Sequence, residues 1–552
     1  MEQGHASNQG PFVTGFTLAC LLAGLMFAQF LISIDRTIIS TAIPHITHEF
    51  RSTPDIGWYG SAYLLTACAF QPLFGKIFTL FSVKITYLAA MFLFELGSLL
   101  CGVAPNSTVL IVGRAIAGLG SAGILTGSFV VVGTTVPLKS RPILMALVGT
   151  MFGVGAATGP LLGGVFTDLV SWRWCFYINL PIGGATVLAM ILFFHPKRSN
   201  RAGRGFIERL MNLDLVGNVL LLGAAVMFFL ALEYTTQGMA WDSAKVIGLL
   251  VGSFQTALLF AAWQWWKGND ALVPPRIITQ RTVAASCGMS FMIYAALINL
   301  TFFLPVWFQA IRGVSAVQSG INMIPYFVVN AVFSVAAGWF VSKIGYVTPP
   351  AAVGNAIGTI GLVLLTYLRV DTTTAQWVGY LVLTSAGFGI SIQQGFVAVQ
   401  TVLPEEDIAI ATAAVVASQS LGAAVFLSVG NSVFQGELIR ATAAGLLDSV
   451  DIKKLIDAGA ASFRHLVPAE NLPTMLEIYN AALIKVFIVS VPLGALAGII
   501  SCFIEYKSVK KTTRGDEENT IPQNSGEEAE RNLGQPLSRT ETRMNTIVAS
   551  MP

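Results

Sequence analysis

Fourteen apolar stretches, each at least the roughly 20 residues that a membrane span needs, recur along this 552-residue chain and constrain its fold more than any single motif. They fall near 14–41, 57–76, 84–103, 108–132, 142–166, 173–194, 213–233, 245–266, 282–304, 318–341, 349–368, 376–400, 408–432 and 480–503. A helix of that length crosses the hydrocarbon of a bilayer, whereas a β-barrel strand needs about half as many residues. Composition points to the same solvent: 54% of the residues are hydrophobic and 11% charged, against roughly a quarter charged in soluble domains. The sequence therefore predicts an all-α integral membrane protein with fourteen transmembrane helices. The first run is too long for the apolar region of a signal peptide and reads as the first span.

Charge in the connections sets the orientation. With the N-terminus inside, the inner connections carry Lys76, Lys84, Lys139, Arg141, Lys197, Arg198, Arg201, Arg204, Arg209, Lys267, Arg276, Arg281 and Lys343. The outer ones carry Arg51, Arg173, Lys245, Arg312 and Arg369, which is a positive-inside bias. An even number of spans also returns Lys507, Lys510 and Lys511 to the inside. The predicted organisation begins with a cytoplasmic tail at 1–13, a first block of six helices at 14–194 and a basic cytoplasmic loop at 195–212. Two additional helices at 213–266 and a cytoplasmic loop at 267–281 follow. Six more helices fill 282–503, including a long outer loop at 433–478, and a cytoplasmic tail occupies 504–552. Residues 512–552 have the polar composition of a disordered segment. Phe434–Val450 has the pattern of an amphipathic helix lying against the membrane surface. Asn106 opens an Asn-Ser-Thr triplet in a very short outer loop, a formal glycosylation acceptor.

Several chemistries lack their residues. The six cysteines show no CxxC spacing, and the five histidines no ligand spacing, so neither a metal nor a cofactor is predicted. No GxxxxGK[ST] run exists to hold nucleotide phosphates. A net charge of +3 without a basic stripe gives no surface for nucleic acid.

Polar residues that lipid should exclude carry the functional signal. Asp35, late in the first span, and Arg114, early in the fourth, fall at similar depths below the same surface. Unpaired charges there are costly, so a shared polar network is expected. A carboxylate in such a network can cycle a proton if its pairing changes with conformation, though a permanent salt bridge would leave the same pattern. Glu95, deep in the third span, reads equally as a proton carrier or as a structural acid. Asn299, Gln309, Asn322, Gln393, Gln394 and Gln419 are candidates to line a substrate cavity, with interhelical hydrogen bonding the competing role. In the fifth span Gly149, Gly153, Gly155, Gly159, Gly163 and Gly164 form a small-residue surface interrupted by Pro160. Such a surface suits either a sliding element or tight static packing.

These residues fall in motifs that resemble the major facilitator superfamily, and within it the fourteen-span drug:proton antiporter branch. Residues 35–46, DRTIISTAIPHI, are similar to its first-helix signature, and 111–123, IVGRAIAGLGSAG, to its fourth-helix motif. Residues 149–164, GTMFGVGAATGPLLGG, resemble the fifth-helix antiporter motif, followed by SWRWCFYINLPIGG at 171–184. The loop GKIFTLFSVK at 75–84 keeps Gly75, Lys76 and Lys84 but has Thr79 at the family's acidic position, with Ser82 and Val83 also departing. That variant, with FELGSLLCGVAPNS at 94–107, resembles fungal toxin and secondary-metabolite efflux pumps. A degenerate partner, GWFVSKIG at 338–345, follows the tenth span.

The resemblance implies two six-helix bundles with two additional central helices, and alternating access around a central cavity. It implies export of a small hydrophobic organic compound in exchange for protons, with Arg114 and Asp35 in the coupling role. It also implies a monomer in the cell membrane, vacuolar or vesicular membranes being the other placement. Uptake or vacuolar transport of a small cation, amino acid or iron chelate is the competing transport reading. A receptor or channel, or a membrane enzyme, has less support: the span count doubles that of seven-span receptors, and no filter loop or ligand cluster is present.

Overall fold

The computed structural model describes residues 13–52, 55–195, 206–236, 239–443, 467 and 471–510. The polar tail at 512–552 and most of the basic loop and of the long outer loop lie outside these residues. Among the described residues fourteen helices are long and apolar enough to cross a membrane. In lipid the backbone must satisfy its own hydrogen bonds, and a helix does so within one segment. Among the described residues the only β pairing is an isolated bridge between Tyr346 and Ser508.

The first bundle contains Gly15–Thr37 (continued by Ile39–Phe50), Ile56–Leu80, Val83–Gly102, Ser107–Thr135, Arg141–Leu169 and Asn179–Phe193, spans one to six. Leu215–Thr236 and Ala244–Lys267 are spans seven and eight. Arg281–Ala310, Ile324–Ile344, Thr348–Leu365, Thr374–Ser391 with Gln394–Val402, Ile408–Ala443 and Leu472–Ser501 are spans nine to fourteen. Within the first bundle span one packs on five and six, two on four, and three on four and six. The second bundle repeats every one of these pairs shifted by eight: nine on thirteen and fourteen, ten on twelve, eleven on twelve and fourteen. The bundles meet where five packs on ten and thirteen on two, a pair related by the same shift. Two structural repeats with an inserted helical hairpin therefore build the fold.

The hairpin attaches beside span two. The Ser61 hydroxyl donates to Glu233 Oε2 at 2.8 Å, and Glu233 fills the space left by Gly57. At its base, buried Asp214 gathers four donors: the Gly217 and Leu272 amides, Trp263 Nε1 and Gln264 Nε2, at 2.8–3.1 Å. The loop so fixed presents the Ala271 carbonyl to Lys76 Nζ at 2.9 Å, joining the hairpin to span two. Asp214→Ala strands these donors, at about 1–3 kcal/mol for each that stays buried. The expected result is a clearly lowered unfolding midpoint of the purified protein; an unchanged midpoint would show that this clasp carries no stability.

Three boundaries differ from the sequence expectation. Span thirteen does not end near 432 but runs unbroken to Ala443, so Phe434–Ala443 continues a spanning helix instead of lying on the surface. Its extension is held by packing: Phe434 meets Phe303 at a tilt and Tyr479 edge to face, Leu438 is buried, and Lys485 pairs with Glu437 at 3.1 Å. Span fourteen starts at Leu472, with Pro473 in its first turn where a missing N–H costs nothing. The outer loop shortens accordingly. Residues 504–509, assigned to the tail by composition, pack onto the connection between spans ten and eleven. There Val509 N donates to Gly345 O at 2.8 Å, and Tyr506 stacks on Tyr346 at 4.1 Å.

Candidate functional site

Asp35 and Arg114 meet in the interior of the first bundle. The Arg114 Nη1–Asp35 Oδ2 distance is 2.6 Å, and the two side chains are 1% and 0% exposed. Arg114 Nε also donates to the Tyr59 carbonyl at 2.9 Å, and its guanidinium lies 4.4 Å from the Tyr63 ring centroid. The second Asp35 oxygen accepts from Asn179 Nδ2 at 3.0 Å, and Asn179 also reaches Ser98 at 3.1 Å. Four spans thus converge on one carboxylate: one, four, six and, through Ser98, three. Beyond the pair, Tyr59 carries the network outward through Ser52, Ser107 and Asp55 at 2.5–2.9 Å. The charge pair was legible in the sequence; Asn179, Ser98, Tyr59 and Tyr63 were not, because neutral polar residues in a span carry no mark of what they face.

Glu95 stands apart from the pair. Its carboxylate lies against Gly183, one turn from Asn179 on span six, and neither oxygen has a hydrogen-bond partner among the described residues. Arg36, the neighbour of Asp35, was passed over by the sequence reading. Its guanidinium lies 5.4 Å from the Tyr63 ring centroid and 5.6 Å from that of Phe152.

The other candidates separate by location. Gln393 lies between the bundles, where its amide fills the space beside Gly149. Gln419 is buried with Nε2 unpartnered, next to Ser420, whose hydroxyl accepts from Gln71 Nε2 across the bundle interface at 3.1 Å. Gln394 bonds the Ile390 carbonyl across the break within its own span. Asn299 bonds Ser490 inside the second bundle, and Asn322 accepts from Gln318 one turn away, so both are engaged within their own bundle. Gln309 is partly buried near the end of span nine. Asn106 caps span four, its Oδ1 accepting from Val109 N at 3.0 Å, and remains exposed. A recess of about 750 Å³ lined by His45, Thr47, His48, Glu49, Arg51 and Trp172 lies beyond the ion pair and takes in none of the candidates. No group of three or more His, Cys, Asp or Glu among the described residues could hold a metal ion.

The fifth-span glycines divide between two neighbours. Gly155, Gly159 and Gly163 lie against Ser33, Thr37, Ile38 and Thr41 of the first span. Gly149 faces Gln393 and Gly153 faces Phe327, both in the other bundle; Gly164 has open space. Pro160 sits inside a helix that stays continuous over Arg141–Leu169.

The bundles also approach each other closely at the end that carries the basic connections. A Cβ on Gly75 would stand 2.6 Å from Ala413 Cβ, and one on Gly338 would stand 2.7 Å from the Pro142 carbonyl oxygen. Phe129 stacks on Phe396 at 4.2 Å, just past the break in span twelve at Ile392–Gln393, and Gln400 Nε2 donates to the Phe129 carbonyl. Close by, Arg276 grips Asp407 through both nitrogens at 2.6 and 2.8 Å, a contact that raises the guanidinium further above its ordinary value. In the 75–84 loop Thr79 donates to Gly75 O at 3.0 Å, within its own helix. Lys84 instead caps span six, donating to the Ile191 and Phe194 carbonyls at 2.7 Å each, a favourable site for a cation.

The profile of the Major Facilitator Superfamily matches residues 25–427. The chain belongs to this superfamily. It is 41% identical over 499 residues to the MFS-type transporter VdtG of Byssochlamys spectabilis, covering 90% of each chain. It is 41% identical over 508 residues to the efflux pump aflT of Aspergillus parasiticus, covering 92% of this chain and 99% of that one. Among solved structures, the proton:xylose symporter XylE superposes with a TM-score of 0.56 at 16% identity, over 90% of this chain and 96% of that one. That likeness is one of fold. As a superfamily member the chain is a multi-pass membrane transporter acting on small organic molecules.

Proposed function

We propose that this transporter exports a hydrophobic organic compound from the cytoplasm in exchange for protons, by alternating access. Its basic connections then lie in the cytoplasm, and the cell membrane is its site of action. The observation that carries the reading is the Asp35–Arg114 pair, sealed from solvent yet one residue from Arg36, which lies between rings of the two spans that meet the second bundle. The relatives named efflux pumps supply the direction. In this structure the bundles are pressed together at the basic end, through Gly75, Gly338 and the Phe129–Phe396 stack. With the basic end in the cytoplasm, as proposed, this geometry is the state closed toward the cytoplasm. A proton arriving at Asp35 cancels its charge and releases Arg114 to other partners, which changes the relative energies of the two states.

Proteoliposomes loaded with the neutral dye Nile red and given an acidic outside test the proposal. Antiport expels dye toward the acid side as protons enter. Dye accumulation on the alkaline side would indicate cotransport with protons, and flux indifferent to the gradient would remove the coupling.

A further inference from the structure

We infer that Arg36 is the recognition point of an anion subsite in the central cavity, and that the cargo is a planar organic anion such as a carboxylate or phenolate. The inference rests on the reading above that cargo binds between the bundles. Span one presents Gln29, Ser33 and Arg36 at spacings of four and three, which places them on one helical face. That face meets span five, where Ser33 donates to the Phe152 carbonyl. It also approaches the second bundle, since the rings flanking Arg36 belong to spans two and five, the spans that meet the second bundle.

Arg36 is a cation without a counter-charge. Among the described residues its Nε and Nη2 are buried with no hydrogen-bond partner, and no carboxylate stands within ion-pair distance. The nearest acid, Asp35, is already taken by Arg114 and Asn179 on the adjoining face. Tyr63 and Phe152 hold the guanidinium by their ring faces, leaving its donor edge unused. Both amide atoms of Gln29 are likewise unpartnered at 1% residue exposure, two turns along the same face. Buried donors without acceptors are rare unless a ligand supplies them. A guanidinium fork matches the two oxygens of a carboxylate, and the rings beside it offer stacking to a flat apolar body. The same uncompensated charge disfavours a cationic cargo.

Pyrenebutyrate and pyrenebutanol share ring and chain and differ in one charge, so their equilibrium binding to the purified full-length protein in detergent isolates the subsite. Wild type is expected to bind the acid about tenfold more tightly than the alcohol. Arg36→Gln should erase that difference while keeping the affinity for pyrenebutanol, and Arg36→Lys should keep most of it. Equal affinities in wild type, or a preference that persists in Arg36→Gln, would overturn the inference. If Arg36→Gln does not fold, Arg36→Lys and wild type decide, the absence of a preference for the acid in either being fatal. No gradient is involved. Loss of pH-driven Nile red flux alongside an Arg36-dependent preference would therefore reject the export mechanism and leave the subsite standing.

Discussion

Asp35→Asn will abolish pH-driven dye flux and lower stability, and adding Arg114→Gln will restore the stability but not the flux. The single variant leaves Arg114 as a buried cation facing an amide. Breaking a buried pair from one side costs about 3–5 kcal/mol, whereas removing both charges is often neutral. The double variant keeps hydrogen-bonding side chains at both positions, so its unfolding midpoint should return close to that of wild type. It has no carboxylate at position 35, however, and the proposed coupling needs one. Unfolding followed by intrinsic fluorescence, paired with the proteoliposome assay, separates the two roles. A double variant that transports at the wild-type rate would reduce Asp35 and Arg114 to a structural salt bridge.

Gly75→Leu should force the molecule out of the state seen here. A single Cβ at this position already falls 2.6 Å from Ala413 Cβ and 3.2 Å from both the Ala409 carbonyl oxygen and Ile410 Cα. Two of those three obstacles are backbone and cannot turn aside. Overpacking of this kind costs typically 1–3 kcal/mol, and about 1.4 kcal/mol moves a two-state equilibrium tenfold. The strain exists only while spans two and thirteen touch, so the open alternative is spared. Spin labels on Lys139→Cys and Glu405→Cys, exposed positions on opposite bundles, should report a shift to longer distances, accompanied by loss of flux. An unchanged distance distribution in a folded, correctly labelled variant would show that this contact does not set the conformational balance.

The fold was legible because the bilayer leaves few options. Apolar runs of spanning length must be helices, and the order of motifs gave the two repeats. The Asp35–Arg114 pairing was legible for the same reason, since two isolated charges at one depth in lipid have to find each other. Arg36 was missed although it sits in the quoted motif. Sequence places it one residue from Asp35, but only the structure shows that this step turns it from the helical bundle toward the bundle interface. Asp214 was missed because its four donors come from segments up to 58 residues away. The amides misled in the opposite sense: Asn299 and Asn322 look like cavity residues in isolation, yet their partners lie in the same bundle. The extension of span thirteen to Ala443 depends on Phe303, Tyr479 and Lys485, contacts that local polarity cannot reveal.

The division of the fifth-span glycines has a mechanical consequence. On one side, Thr37 and Thr41 sit like teeth in the notches left by Gly159 and Gly163, with Ser33 at Gly155. Helices keyed in this way cannot slip along each other without first separating, so spans one and five travel as one piece. On the opposite side, contact with span ten is close at Pro142–Ile143 and only ordinary at Gly153 and Leu161 further along the helix. A rod clamped along one flank and pinched against its neighbour near one tip behaves as a lever with its fulcrum at that tip. Small rotations about residues 142–143 then become the widest displacements at the far end of span five.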